Sequence, residues 1–176
     1  MSATTDERVH IASDVTDRGI AAWNARDPRQ IVSHWSEDCI YESPVLPGGR
    51  VVGRDASQVA VAVTLRAFPD FKLVELDRWI SPDGLRVALR WRASGTFTGP
   101  LDPPGFAPTG GPVEVEGMTC TELRDGEVAH FRHYFDVTGM GRQLAAVPAR
   151  GSVAERLVVV LQRRRAARLR RAGARH

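Results

Sequence analysis

The chain has 176 residues, 43% hydrophobic and 26% charged, the make-up of one globular domain with a real core. That balance excludes a disordered or fibrous chain, and the longest aliphatic run, Leu157 to Leu161, is far short of a membrane span. The net charge of +3 is unevenly spread: residues 151–176 hold eight arginines against one acid, Glu155, which leaves residues 1–150 at −4. Two parts are expected, a mildly acidic body (1–150) and an arginine-rich tail (151–176).

The first residues carry acids early and no apolar stretch, so no secretory leader is expected. Cys39 and Cys120 lie far apart and form no CxxC, which points away from a disulfide framework or a zinc site. A reducing, cytoplasmic setting fits this cysteine usage.

Asp6 to Arg26 reads as a helix, with Val9, Ala12, Val15, Gly19, Ala22 and Trp23 on one stripe. Asp27-Pro28 punctuates it and opens a second helix, Pro28 to Trp35. A short strand follows at Cys39–Glu42, stopped by Pro44 and the Pro47-Gly48-Gly49 turn. A third helix is expected over Asp55–Ala67, capped by Asp55 and buried along Ala56, Val59, Ala60, Val63 and Ala67.

From Phe71 the pattern changes to period two. A strand over Phe71–Ile80 turns at Ser81–Gly84 into a long strand, Leu85–Thr98. There Val87, Leu89, Trp91, Ala93 and Phe97 alternate with Arg86, Arg90, Arg92 and Thr96. A Gly- and Pro-rich loop leads to strand Pro112–Leu123, and the Asp125-Gly126 hairpin returns strand Glu127–Asp136. A short helix over Val137–Ala146 closes the body. Helices followed by an antiparallel meander make an α+β fold, with helices covering one sheet face and a pocket at the open end.

An unbroken ladder from the hairpin pairs Thr121 with His130, Thr119 with Arg132, Gly117 with Tyr134 and Val115 with Asp136. His130, Arg132, Tyr134 and Asp136 then share a face with Thr121, Thr119 and Gly117, and the missing side chain at Gly117 leaves room for the Tyr134 ring. Asp136 has two readings: a buried carboxylate of raised basicity, or the N-cap of the next helix.

The stretch from Gly95 to Pro148 resembles the SnoaL-like polyketide-cyclase branch of the NTF2-like superfamily. The resemblance rests on Gly95-Thr96-Phe97-Thr98-Gly99-Pro100-Leu101, Pro108-Thr109-Gly110, Asp125-Gly126-Glu127-Val128, Tyr134-Phe135-Asp136 and Gln143-Leu144. Trp23–Asp27, Asp38–Pro44, Gly53-Arg54-Asp55 and Ala67–Asp70 extend it to about residues 8–148. It implies a cone-shaped α+β barrel, a homodimer through the outer sheet face, no cofactor, and an apolar or aromatic small molecule as substrate. The implied chemistry is intramolecular aldol ring closure, with Asp136 as acid–base group and Tyr134 assisting. Trp35, Tyr41, Trp91, Phe97, Thr119 and His130 are the candidate substrate-binding residues, with Asn24 a further polar candidate. Phe97 stands where relatives often carry a histidine, so this pocket is expected to be more apolar. The same fold hosts isomerases, dehydratases, hydrolases and non-catalytic ligand binders, and these remain alternatives.

The remaining residues read more plainly. Trp23 and Trp79, like Trp35 and Trp91, are expected in the core or pocket wall, and His10 and His34 at the surface or an edge. The five histidines show no metal spacing; His130 and His133 point to opposite faces of their strand. The tail is expected to be helical over Ser152–Arg171, with its first half docked on the body or on a dimer mate. Its second half is a solvated cationic end or an anchor for RNA or acidic lipid. No aromatic interleaves its arginines, which argues against nucleic acid.

Overall fold

The computed structural model describes residues 4–173; Met1 to Ala3 and Ala174 to His176 lie outside them. Helix α1 (Thr5–Ala25) starts at a reciprocal capping box between Thr4 and Glu7 and ends at left-handed Arg26. Asp27 caps α2 (Pro28–Val32) by accepting from the Arg29 and Gln30 amides. This helix stops earlier than its sequence suggests, because Trp35 already belongs to strand β1 (Trp35–Glu42). The Trp35 carbonyl accepts from Arg54 Nε at 2.6 Å, which holds that strand entry in place.

Strand β2 (Arg50–Val52) forms a small hairpin with β1; three residues carry no periodicity to read. Helix α3 (Arg54–Ala67) is capped by Gly53 at φ 96°, a conformation suited to glycine, and not by Asp55. Its buried side is Ser57, Val61, Leu65 and Ala67, whereas Val59 and Ala56 face outward. Val and Ala populate both faces of this helix, so spacing alone could not choose between them.

Strands β3 (Lys72–Ile80), β4 (Arg86–Thr96), β5 (Pro112–Arg124) and β6 (Glu127–Phe135) form the expected meander. The full sheet runs β2-β1-β6-β5-β4-β3, antiparallel except where β1 joins β6 in parallel. It is curved but open, a six-stranded half-cone and not a closed barrel. Helix α4 (Val137–Gln143) follows β6 directly, and α5 (Val153–Gly173) carries the tail.

Helix α1 is fastened over the concave face at both ends. Asn24 both donates to and accepts from the Leu73 backbone, at 2.9 and 2.8 Å, so this expected pocket group serves as a clamp. Towards the other end Arg8 Nε donates to the Asp83 carbonyl at 2.9 Å, and near the middle Arg78 of β3 reaches the Ser13 carbonyl and Asp17. Between these ties, Ala12, Val15, Ala22 and Trp23 enter the main core beside Ile31, Trp35 and Val61. A second cluster gathers Phe68, Phe97, Leu101, Val113 and Leu144. Trp79 is half exposed and belongs to neither. The convex face carries a charged ladder in which Arg90 meets Asp77 and Arg92 meets Glu116, at 2.8 and 2.7 Å. These exposed pairs add little stability each.

The ladder between β5 and β6 is broken. Leu123 pairs with Val128, but the next pair is Glu122 with His130, so Ala129 is an extra residue in β6. The ladder between β1 and β6 is irregular at the same place. One inserted residue reverses every side chain beyond it. Phe131, His133 and Phe135 therefore oppose Thr121, Thr119 and Gly117. The pairings of Thr119 with Arg132 and Gly117 with Tyr134 are corrected accordingly.

Gly117 makes room for a ring, but for that of Trp91 across the β4–β5 ladder. A Cβ at this position would lie 2.6 Å from two atoms of the indole and from the Tyr134 carbonyl oxygen. Gly117→Ala is expected to lower stability by about 1–3 kcal/mol, measured by urea unfolding; an unchanged midpoint would refute this account of the contact.

Candidate functional site

Under α1 the concave face encloses a cavity of about 140 Å³. Its wall is built from alternating positions: Val87, Leu89, Trp91 and Ala93 of β4, Val115, Thr119 and Thr121 of β5, and Phe131, His133 and Phe135 of β6. Trp35 and Tyr41 of β1 close one side, and Trp23 of α1 the top. No aspartate, glutamate, lysine or arginine lines it among the described residues.

His133 stands at the centre of the aromatic wall. Its ring lies 4.8 Å from Phe131, 5.6 Å from both Tyr41 and Trp91, and 6.4 Å from Trp23, centroid to centroid. Nε2 is buried and meets no hydrogen-bonding partner in the protein. Burial pushes the His133 pKa down to about 4, so the imidazole is neutral at pH 7. His34, between α2 and β1, also lines the cavity, and burial, aided by the Arg18 charge, lowers its pKa to about 4.

Thr119 is the cross-strand partner of His133, so the two side chains stand next to each other on the inner face. Trp91 Nε1 donates to Thr119 Oγ1 at 2.8 Å. With one lone pair so engaged, the Thr119 hydroxyl keeps its own proton to donate. Tyr41 is fully buried beside Ser43, and burial raises its pKa well above the phenol range, keeping a neutral O–H. The site thus offers an acceptor or donor at His133 and hydroxyl donors around it, in a mostly apolar setting without acidic or basic side chains other than histidine.

Of the eight site residues expected from sequence, Trp35, Tyr41, Trp91 and Thr119 line this cavity. Phe97 does not: it is fully buried in the second cluster, 5.5 Å from Phe68. The inserted Ala129 turns His130 and Tyr134 outward. His130 Nε2 sits 3.2 Å from Glu42 Oε2, and Arg132 bonds the same carboxylate. Tyr134 is 50% exposed, and its hydroxyl accepts from Arg132 at 3.2 Å. Asp136 is exposed, lines no cavity wall, and accepts from the Gly139 amide at 2.8 Å as the N-cap of α4. The helix-capping reading of this residue is the one that its geometry fits.

His133 and His34 are the groups that sequence reasoning missed. Phe131-x-His133-x-Phe135 opposite Thr119 and Thr121 was the available signal, since the alternate face carries Arg132, Glu116 and Glu122. His34 gave none, because it lies between elements.

A profile of the SnoaL-like polyketide cyclase family matches residues 13–144. The chain belongs to this family. Similar solved structures agree with the fold of this SnoaL-like protein. AclR from Streptomyces galilaeus, provisionally described as a hydroxylase, is 26% identical; the match covers 82% of this chain and 100% of that one, with a TM-score of 0.67. A provisionally assigned SnoaL-like polyketide cyclase from a Jannaschia species is 22% identical over 79% of this chain and 94% of its own, with a TM-score of 0.68. A Catenulispora acidiphila protein with a ketosteroid isomerase-like fold is 16% identical over 79% of this chain and 97% of its own, at a TM-score of 0.62. No curated protein matches the chain by sequence.

The two cavity histidines make stability depend on pH. Unfolded histidine titrates near 6.5, and both folded values are depressed to about 4. Below pH 6.5 the unfolded chain therefore binds protons that the folded chain refuses. Their full stabilisation holds above about pH 6.5 and is lost as pH falls towards 4, by roughly 3 kcal/mol for His133 alone. Denaturant midpoints measured across this window are expected to fall with pH, and His133→Phe is expected to remove about half of that slope.

Proposed function

We propose that this SnoaL-like protein is a small-molecule enzyme that moves a proton on a compact, uncharged carbonyl compound held in the inner cavity. The observation that carries this reading is His133 Nε2: a buried ring nitrogen without a protein partner, on the wall of a largely apolar cavity. A buried polar atom left unpaired costs free energy, and a substrate group placed there would relieve it. The expected role of Asp136 as acid–base group passes to His133, because proton transfer needs hydrogen-bond reach to the substrate.

In an aldol-type ring closure, neutral His133 takes the proton from a carbon flanked by carbonyls, leaving an enolate. The enolate carbon attacks a second carbonyl of the same molecule and forms the ring bond, and the new alkoxide takes the proton back from imidazolium. Thr119 donates its hydroxyl to the carbonyl oxygen on which charge develops. In the empty cavity His133 is a weak base. An enolate beside it in a mostly apolar site favours imidazolium, so basicity rises as charge develops.

The cavity volume favours a compact substrate. About 140 Å³ is close to a cavity that holds benzene and well below the roughly 300–1,000 Å³ of ordinary ligand pockets. One or two fused rings match this space better than a tetracyclic skeleton does. The homodimer implied by the resemblance would use the outer sheet face, where Arg90 and Arg92 pair with Asp77 and Glu116.

The test uses 5-nitrobenzisoxazole, a compact bicyclic compound whose ring opening reports removal of a carbon-bound proton. The protein is expected to accelerate it saturably, with a rate that rises through about pH 4 and is flat above it. His133→Gln is expected to lose at least about tenfold in kcat. Asp136→Asn, which still caps α4, is expected to retain activity. Loss in the Asp136 variant with retention in the His133 variant would overturn the assignment.

A further inference from the structure

Helix α5 joins an apolar block to a cationic one. Leu157, Val158, Val159, Val160 and Leu161 are each between 43% and 58% exposed, and Val153 is 81% exposed. Successive residues of a helix are turned by about 100°, so five consecutive aliphatic side chains point all round the axis. The expected docking of this half on the body of the same chain does not occur. The turns beyond carry Arg163, Arg164, Arg165, Arg168, Arg170 and Arg171 with no acid among them. Glu155, the acid of the helix, is already engaged by the Gly151 amide at 2.6 Å and by Arg142 at 3.8 Å.

We propose that α5 is a peripheral anchor that seats this protein on anionic phospholipid bilayers. A helix apolar on all sides needs an apolar medium around it, and one flat protein face would cover a single side. The headgroup–acyl boundary surrounds such a block, while arginines extend their heads to lipid phosphates. Clustered basic residues next to an apolar helix segment have the charge complementarity that acidic lipid demands. No helix among the described residues is long and apolar enough to cross a membrane, so the anchor lies at the surface.

The competing occupants fit less of the helix. Nucleic acid would take up the arginines and leave the aliphatic block in water, with no aromatic in the helix for bases to stack on. A second α5 packed in parallel would set arginine against arginine, and packed antiparallel would set arginines against valines. The body, at −4, is repelled by an anionic surface, so the attraction must come from α5 itself.

The experiment is co-sedimentation of the full chain with phosphatidylcholine vesicles containing about one third phosphatidylglycerol, beside pure phosphatidylcholine vesicles. Binding is expected to the anionic vesicles alone, weakening as salt rises. Arg163→Gln/Arg164→Gln/Arg165→Gln is expected to reduce affinity about a hundredfold. Leu157→Ser/Leu161→Ser leaves the charge unchanged and is expected to reduce affinity at least about tenfold. All four results together support the anchor. These side chains are exposed, and an unchanged thermal melt of each variant establishes that the body is intact.

Absence of binding to anionic vesicles would overturn the proposal, as would equal binding to both compositions. An unchanged Leu157/Leu161 variant would reduce the contact to surface charge. If single-stranded RNA then bound the full chain and the arginine variant released it, the partner would be nucleic acid. Self-association lost in the Leu157/Leu161 variant, without vesicle binding, would assign the block to a second copy.

Discussion

One extra residue in β6, Ala129, decides which side chains look into the half-cone. Both neighbouring ladders slip at this point, β5 between Leu123 and Glu122 and β1 between Trp35 and Ile40. Beyond it Phe131, His133 and Phe135 turn inward, while His130, Arg132 and Tyr134 turn outward. A continuous ladder would drive a guanidinium into an aromatic cavity with no carboxylate on its wall. Leaving an unpaired charge there costs far more than a local irregularity in the sheet. On the convex side the same Arg132 finds Glu42, and that carboxylate is held below its usual range chiefly by this bond.

From that register the site follows by contact. Gly117 lacks a side chain, so the Trp91 indole can lie across it. The indole N–H then reaches Thr119 and occupies one of its lone pairs. Thr119 in turn stands beside His133 on the neighbouring strand. A missing side chain in β5 thus sets the direction of a hydroxyl donor next to the imidazole. Burial among the aromatic rings keeps the His133 ring neutral, and its Nε2 meets no partner in the protein. The features that make the residue a poor base in an empty cavity make it responsive to charge arising beside it.

Much of this was legible in the amino-acid pattern. The stripe of α1, the Asp27-Pro28 junction, the Asp125-Gly126 hairpin and the period-two run in β4 each report a local rule, and each held. The inward face of β5 was legible too, because Val113 and Val115 alternate with Glu114 and Glu116. The β6 side of the same hairpin was not. Register there was counted from the turn, and an inserted residue leaves no mark in composition. Strand β2 is too short to show a period, and Trp35 satisfies a helical spacing as well as a strand. Asp136 was open between two roles because a carboxylate at a strand–helix junction suits either; the Gly139 amide fits the capping one.

The body and the tail carry opposite kinds of unfinished business, and the difference assigns them different partners. Inside, a ring nitrogen buried among aromatic rings lacks a hydrogen bond, which a small polar group on an apolar molecule can supply. Outside, aliphatic side chains all round one helix lack cover, which an apolar medium can supply. The cavity wall bears no charge, so the net charge of the chain has no bearing on what enters it. The arginines of α5 act over about a Debye length and steer the molecule to a surface without touching the pocket's selectivity. Chemistry and location are therefore separable in this chain, and a substitution in one is expected to leave the other intact.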